Sequence, residues 1–302
     1  MAQEYPVRPI RFIAPNLPGG PTDILARLIG QKLSESMGQP VVIENRAGAS
    51  GIIGTEAAAK SPPDGYTLVT GNNATFGANV SLFKKLPYDP VKDFSPIVLV
   101  ATQPNILVVH PSLPVKSVKD LIAFAKARPG QLNYAGTGMG AAANLSAELF
   151  KSMTGTQMVG ISYKSAAPAL TDLIAGQTQL MFATSLSVMP HIQSNRLRAL
   201  GVTTARRTQA MPELPTIAEA GVPGFEATTW HGVFVPAGTP AAIVARLNAE
   251  INRMLQLQDV RDRLAAMGAE MVGGTSKELA DHIQHEIPKW AKVIRETGAK
   301  AE

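Results

Sequence analysis

The stretch VRPIRFIAPNLPGGPTDILARLIGQKLSESMGQPVVI, residues 7–43, holds one complete strand–helix–strand pattern. The short apolar run 7–14 predicts a buried strand. Over residues 21–37 the apolar side chains recur at helical spacing, and the proline at the start of this segment suits the first turn of a helix. A second apolar run at 41–43 predicts the next strand. This alternation is typical of α/β proteins with a parallel sheet.

The same alternation continues along the rest of the chain. Further helices are predicted at 50–59, 117–127 and 166–175, and further strands at 66–70, 106–109, 132–135, 158–163, 180–182, 197–202 and 230–236. The loop 136–140 leads into a helix with predicted core residues Leu145, Leu149 and Met153. We therefore predict two α/β lobes joined by two chain crossings. Residues 1–101 and 226–302 form lobe 1, and residues 102–225 form lobe 2.

The composition of the 302-residue chain is that of a compact globular protein. Hydrophobic residues make up 45% and charged residues 17%, which excludes intrinsic disorder. No run of about 18 apolar residues occurs, so we expect no direct insertion into a membrane. The net charge of +5 favours anionic partners. Because that charge is spread out and aromatic residues make up only 5%, we expect no nucleic-acid partner.

Motifs for catalysis or cofactor binding are weak or absent in the sequence. The lack of cysteine excludes disulfides, thiolate metal sites and cysteine nucleophiles. Glycine-rich segments at 48–54 and 136–140 lack the spacing of dinucleotide and phosphate loops. His282 and His285 lack a suitably spaced third metal ligand. We predict no catalytic residue, no metal and no cofactor, although glycine-rich loops that open helices do bind anions.

For each of two residues, Asp23 and Trp230, the sequence allows both a ligand-binding role and a structural role. Asp23 is either a ligand contact or a first-turn acid that favours the helix dipole and pairs with Arg27. We favour the structural role. Trp230 either stacks on a ligand or anchors the core beside Gly232.

The N-terminal residues are compatible with two origins. Residues 1–6 show neither a positive n-region nor an apolar h-region. The protein is therefore either cytoplasmic or a mature exported protein in which Met1 precedes the kind of Ala-Gln junction that signal peptidase leaves.

A set of short motifs is spread along essentially the whole chain: PNLPGGPTDILAR at 15–27, ENRAG at 44–48, PDGYTL at 63–68, LPYDP at 86–90, PGQLNY at 129–134 and PAGTP at 236–240. As a set they resemble the Bug family, the periplasmic substrate-binding receptors of tripartite tricarboxylate transporters. The resemblance implies a two-lobed periplasmic-binding-protein, or Venus flytrap, fold with the ligand in a cleft between the lobes. It also implies a monomeric periplasmic receptor, in its mature form, that performs no chemistry and delivers a small carboxylate to membrane transporter subunits.

The resemblance also implies the residues that bind the ligand. Loops after the first strand of each lobe would grip one carboxylate, and two further segments and one helix residue would line the cleft. The first group is Asn16, Leu17, Pro18, Gly19 and Gly20 with Gly136, Thr137, Gly138 and Met139; the second is Asn72, Asn73, Ala74, Thr75, Asn144, Ala183, Thr184 and Ser185.

The sequence departs from the family pattern at several of these positions. Ala183 stands where the family commonly has Asp, and Asn144 where it commonly has His. Because a methyl group cannot pair with an ammonium, we expect a preference for carboxylates without an amino group. Two alternatives stay open. One is a carboxylate-processing enzyme, against which the lack of a nucleophile–base or metal constellation argues. The other is a sensor subunit that presents its ligand to a signalling partner.

Overall fold

The computed structural model describes residues 5–137, 140–163, 165–208 and 211–299. They form two compact units. Unit 1 holds the described residues up to Thr102 together with Trp230–Ala291, and unit 2 holds Gln103–Thr229 together with the described residues from Lys292 onward. The end of the chain thus differs from the prediction, which placed all of 226–302 in lobe 1. In unit 2 the Ser152 hydroxyl donates to the carboxylate of Glu296 and ties this end in place.

The elements alternate as the sequence predicts for an α/β protein. In chain order the strands are β1 (Ile10–Ala14), β2 (Val41–Asn45), β3 (Thr67–Asn72), β4 (Phe94–Gln103), β5 (Asn105–Val109), β6 (Asn133–Gly136), β7 (Val159–Ser162), β8 (Leu180–Thr184), β9 (Arg198–Val202), β10 (Thr229–Pro236) and β11 (Glu270–Met271). The helices are α1 (Pro21–Met37), α2 (Ile52–Ala59), α3 (Asn79–Leu82), α4 (Val118–Ala127), α5 (Ala142–Thr154), α6 (Ala166–Ile174), α7 (Ser185–Gln193), α8 (Ala241–Leu255), α9 (Gln258–Ala266) and α10 (Ser276–Thr297). Within the described ranges, none of these helices combines the length and apolar character of a membrane span.

The sheet of unit 1 has six strands in the order β11-β4-β10-β3-β1-β2. Strand β1 pairs in parallel with both β2 and β3, whereas β10 runs antiparallel to β3 with His231 opposite Asn72. The ends of β1, β2 and β3 therefore meet the beginning of β10 at one edge of the sheet. We call this the carboxyl edge of unit 1.

The sheet of unit 2 has five strands in the order β7-β6-β8-β5-β9. Strand β6 is parallel to β7 and β8, and β5 is antiparallel to β8 with Asn105 opposite Thr184. The ends of β6, β7 and β8 thus share one edge with the beginning of β5. This is the carboxyl edge of unit 2, and α5, α6 and α7 begin beyond it.

Helix α1 shows why the local prediction succeeds. Its apolar face buries Leu25, Ile29 and Leu33 against the sheet of unit 1. The helix ends at Gly38, whose φ of 72° suits glycine and whose N–H donates to Ser34.

Two predictions of local structure need correction. Met153 was predicted in the core stripe of α5, but it is exposed because the buried face runs through Leu145, Leu149 and Phe150. Strand β4 was not predicted, since Pro96 interrupts its apolar run and proline argues against an interior strand. The structure nevertheless places β4 between β10 and β11.

A buried glutamate links three parts of unit 1. Glu286 of α10 accepts hydrogen bonds from the indole N–H groups of Trp230 (2.9 Å) and Trp290 (2.8 Å) and from Asn73 Nδ2 (3.2 Å). Its other oxygen lies 2.8 Å from the Lys289 ammonium. Burial raises the pKa of Glu286, but Lys289 and the two indole donors outweigh it, so the pKa is lowered. Trp230 is fully buried and is therefore a core anchor.

Replacing Glu286 by glutamine should destabilise the protein. The two indole donors and Asn73 all reach one oxygen of Glu286. In glutamine the other oxygen becomes an amide NH2, which cannot accept from the Lys289 ammonium and carries no charge, so we expect the free energy of unfolding to fall by about 3 kcal/mol. Urea unfolding at neutral pH measures the change. Glu296→Gln, on the same helix but at the surface, is the control: it loses the pair with Lys292 but keeps an oxygen that can accept from Ser152, and it should cost less than about 1 kcal/mol. Equal losses in both variants would contradict a special role for Glu286.

Candidate functional site

The first predicted loop, residues 16–20, joins β1 to α1 at the carboxyl edge of unit 1. Leu17, Pro18 and Gly19 are exposed, and Gly19 has a left-handed φ of 82°. Gly20 occupies the N-cap of α1 and offers no side-chain hydrogen bond, and the following proline has no N–H. The remaining first-turn N–H groups therefore receive no side-chain cap and keep the positive end of the helix dipole available to an anion.

Asp23, in the first turn of α1, stabilises this loop through hydrogen bonds. Its carboxylate accepts from Gly19 N (2.9 Å), from Asn45 Nδ2 (2.8 Å) and from Arg27 Nε (3.0 Å). Burial raises the pKa of Asp23, but the hydrogen bonds from Arg27, Gly19 and Asn45 outweigh it and lower the pKa. Thr22 adds a hydrogen bond to the side chain of Asn16 at 2.9 Å. Asp23 thus has the structural role that the sequence analysis favours.

The segment after β3 is only partly as predicted. Asn72 Oδ1 accepts from the backbone N–H groups of Ala74 (3.0 Å) and Thr75 (3.1 Å), and both Asn72 and Ala74 are half-buried. Asn73 is buried instead of facing a ligand: its side-chain amide donates to Glu286 and accepts from the backbone N–H of Trp230 at 2.9 Å. Thr75 is corrected as well, since its buried hydroxyl accepts from Asn72 N at 3.1 Å.

The matching loop of unit 2 follows β6. Gly136 and Thr137 lie at the carboxyl edge, while the predicted residues Gly138 and Met139 fall outside the described residues. The side-chain oxygen of Asn144 lies so close to Gly136 that a Cβ would collide with it, which explains the glycine. Helix α5 begins after Ala141 with no side-chain cap. Its start therefore resembles that of α1.

The end of β8 contributes Thr184 and Ser185. Both are partly exposed, and the Ser187 hydroxyl lies 3.1 Å from Thr184 Oγ1. Ala183 is different: it is buried in an apolar cluster with Met181 and Val188. Strand alternation directs its methyl group into the core of unit 2. This corrects the prediction that Ala183 faces a ligand.

Two carboxylates, one in each unit, have partners within the fold. Asp23 is held by its three donors, and Asp172 of α6 accepts from the Tyr163 hydroxyl at 2.8 Å. The sequence analysis missed Asn45, which supports the first loop, although a polar residue at the end of a parallel strand was an available signal. No cluster of three His, Asp or Glu side chains suited to a metal ion occurs in the described part of the chain.

Comparison with known proteins gives a consistent picture. A family profile described as "Tripartite tricarboxylate transporter family receptor" matches residues 25–299. Protein BugT of Bordetella pertussis is 43% identical over 300 residues, covering 99% of this chain and 92% of that protein. The structure of R. palustris Rpa4515 with adipate is 41% identical, with a TM-score of 0.84, and covers 98% of this chain and 99% of that one. MatC from Rhodopseudomonas palustris with bound malate is 35% identical, with a TM-score of 0.81, over 96% of this chain and 100% of that one.

Asp23→Asn tests the loop support. Because the folded pKa of Asp23 is lowered, its contribution is fully present above the unfolded value of about 3.9 and is lost as the pH falls through the folded value. We expect the variant to lose about 2 kcal/mol of unfolding free energy at pH 7. The gap to the unaltered protein should close as the pH falls below the folded pKa. Urea titrations between pH 2 and 7 measure both.

The exposed Asp281 provides the control for this prediction. Asp281→Asn removes only a surface pair with Lys277 and should change stability by less than about 1 kcal/mol. If Asp23→Asn lost stability equally at all pH values, the charge of Asp23 would not be the cause.

Proposed function

The chain belongs to the receptor family of tripartite tricarboxylate transporters, and from that premise we propose that it binds a small organic carboxylate and delivers it to the membrane subunits of such a transporter. The predicted Bug-family resemblance and the predicted two-lobed periplasmic-binding-protein fold are confirmed. Adipate and malate, bound in two similar structures, indicate the ligand class.

The observation that carries the proposal is the construction of the two predicted loops. In unit 1 the loop 16–20 opens α1 at Gly20, and in unit 2 the loop after Gly136 opens α5 at Ala141, both without a side-chain cap. Uncapped N–H groups at the positive end of a helix favour a carboxylate over a neutral amide. Asp23 keeps the first loop in position without itself contacting the ligand.

We propose further that the ligand carries no amino group. Asp23 accepts from Arg27 and Asp172 accepts from Tyr163, so both carboxylates are engaged within their own units. Burying an ammonium without a negative partner is costly. This argument replaces the one based on Ala183, whose side chain lies in the core.

Location, assembly and the absence of catalysis are part of the same proposal. In this proposal the protein acts as a monomer in the periplasm and releases its ligand unchanged. A carboxylate-processing enzyme would turn over the acid that it binds, so incubation with the ligand and analysis by mass spectrometry separates the two. A sensor subunit would bind equally well but fail to support uptake when the membrane subunits are supplied.

A thermal-shift panel tests the ligand class. The panel contains adipate, malate, succinate and glutarate, and at least one of these acids should raise the melting temperature. At a hundredfold excess over its Kd, a bound acid adds about 2.7 kcal/mol to the free energy of unfolding. The matched diamides should give no shift. Aspartate and glutamate should bind at least about tenfold more weakly than succinate and glutarate, or 1.4 kcal/mol. Equal stabilisation by amides would overturn the anion site, and tighter binding of the amino acids would overturn the amino-group preference.

The ligand cleft predicted between the two lobes remains a prediction. If the ligand closes them by rotation about the crossings near residues 101 and 225, the radius of gyration should fall on binding. Small-angle X-ray scattering with and without the best acid of the panel measures this. An unchanged radius at saturation would count against closure.

A further inference from the structure

Asn105, the first residue of β5, has a side chain that the fold does not use. Its backbone N–H donates to Thr203 Oγ1 at 2.9 Å, and its carbonyl accepts from Thr203 N at 2.9 Å. The side chain is 1% exposed, and its Nδ2 has no hydrogen-bond partner among the described residues. Burying a donor without a partner is unfavourable, so this amide calls for an explanation.

The position of Asn105 limits where a partner can come from. Asn105 lies opposite Thr184 in the β5–β8 pair, so the two side chains share one face of the sheet. Farther along that face lie Leu107 and Phe182, which are fully buried and apolar. Since the strand begins at Asn105 and its apolar neighbours on this face offer no acceptor, we infer that an acceptor for Nδ2 comes from beyond the carboxyl edge of unit 2.

The same edge carries a second feature suited to an acceptor. Helix α7 begins there at Ser185, nine residues long and without a side-chain cap at Thr184. The Ser185 N–H donates to the Pro104 carbonyl at 3.4 Å, and the first-turn N–H groups that follow it lie with the amide of Asn105 at this end of the sheet. A partner that satisfies both is an oxygen acceptor, and a negatively charged oxygen satisfies them best.

We propose that Asn105 is a ligand-binding residue and that its Nδ2 donates to a carboxylate oxygen of the bound solute. The inference rests on the proposed function and deepens it by naming a specificity-determining donor in unit 2. A neutral amide suits this place, because a buried Lys or Arg without a ligand would leave an unpaired charge. A solute without an acceptor at this position leaves the donor unsatisfied and is rejected.

Two substitutions separate a binding role from a structural one. Asn105→Leu removes the donor but keeps a similar volume, and Asn105→Asp replaces the donor with a negatively charged acceptor. Thr178→Val is the matched control, because Thr178 is also buried in unit 2 with an unpartnered hydroxyl but precedes β8 at the opposite end of the strand. The measurements are the melting temperature without ligand and the Kd of adipate, malate, succinate and glutarate by calorimetry.

We expect Asn105→Leu to weaken the best-bound acid about tenfold to hundredfold. Without ligand this variant should melt no lower than the unaltered protein, because it removes an unsatisfied donor. Asn105→Asp should weaken the acid at least as much, through repulsion between carboxylates. It should also weaken the corresponding monoamide less than the diacid, since the new carboxylate can accept from an amide N–H. Thr178→Val should leave every Kd unchanged.

Each result bears on a different claim. If no acid binds the unaltered protein, the proposed function fails and this inference fails with it. If an acid binds and its Kd is unchanged in both Asn105 variants, the proposed function stands and the assignment of Asn105 is overturned. A lower melting temperature of ligand-free Asn105→Leu would also overturn it, because the amide would then have a partner within the fold. Should Asn105→Asp fail to fold, Asn105→Leu decides alone.

Discussion

Parallel pairing of β1 with β2 and β3, and of β6 with β7 and β8, is the constraint on which the rest depends. Parallel strands need crossover connections, so the chain returns by a helix each time and every strand end faces the same edge. This brings the starts of α1 and α5 to the carboxyl edges of their own sheets. The antiparallel strands β10 and β5 then begin at those edges and add side chains such as Asn105.

Sequence patterns predicted the elements well because the determining interactions are local. The spacing of Leu25, Ile29 and Leu33, with proline before and glycine after, is sufficient to specify α1. Strand β4 was missed because its partners β10 and β11 come more than 120 residues later, so long-range pairing overrides the unfavourable Pro96.

The candidate site was harder to predict than the fold. Loops 16–20 and 136–140 were predicted to bind the ligand because glycine marks both and proline marks the first, and their role stays a prediction. The direction of a side chain at a strand end was not predictable, since a shift of one residue turns it to the other face. Ala183 proved to be core and Thr184 the first residue outside it. Asn73 belongs to a network with Glu286, a residue 213 positions away, which no local pattern reveals.

Three buried carboxylates, Asp23, Glu148 and Glu286, have their hydrogen-bond partners within their own unit. Asp23 and Glu286 in unit 1 accept only from partners within the unit. In unit 2, Glu148 accepts from the Tyr134 hydroxyl and from Lys151 at 3.0 Å. What the candidate loops offer to a ligand is therefore mainly neutral N–H groups. Neutral N–H donors held in fixed positions select a ligand by the positions of its oxygen atoms. When the ligand dissociates, they leave no unpaired charge on the protein.

The order of strands in unit 1 has a consequence for how the chain folds as it is synthesised. Strand β10 lies between β3 and β4, yet it is made only after all of β5–β9. The sheet of unit 2 can thus be completed while that of unit 1 still lacks its central strand. Until residues 229–236 are synthesised, the edges of β3 and β4 that pair with β10 remain without a partner. In a nascent chain these unpaired edges are open to incorrect strand pairing.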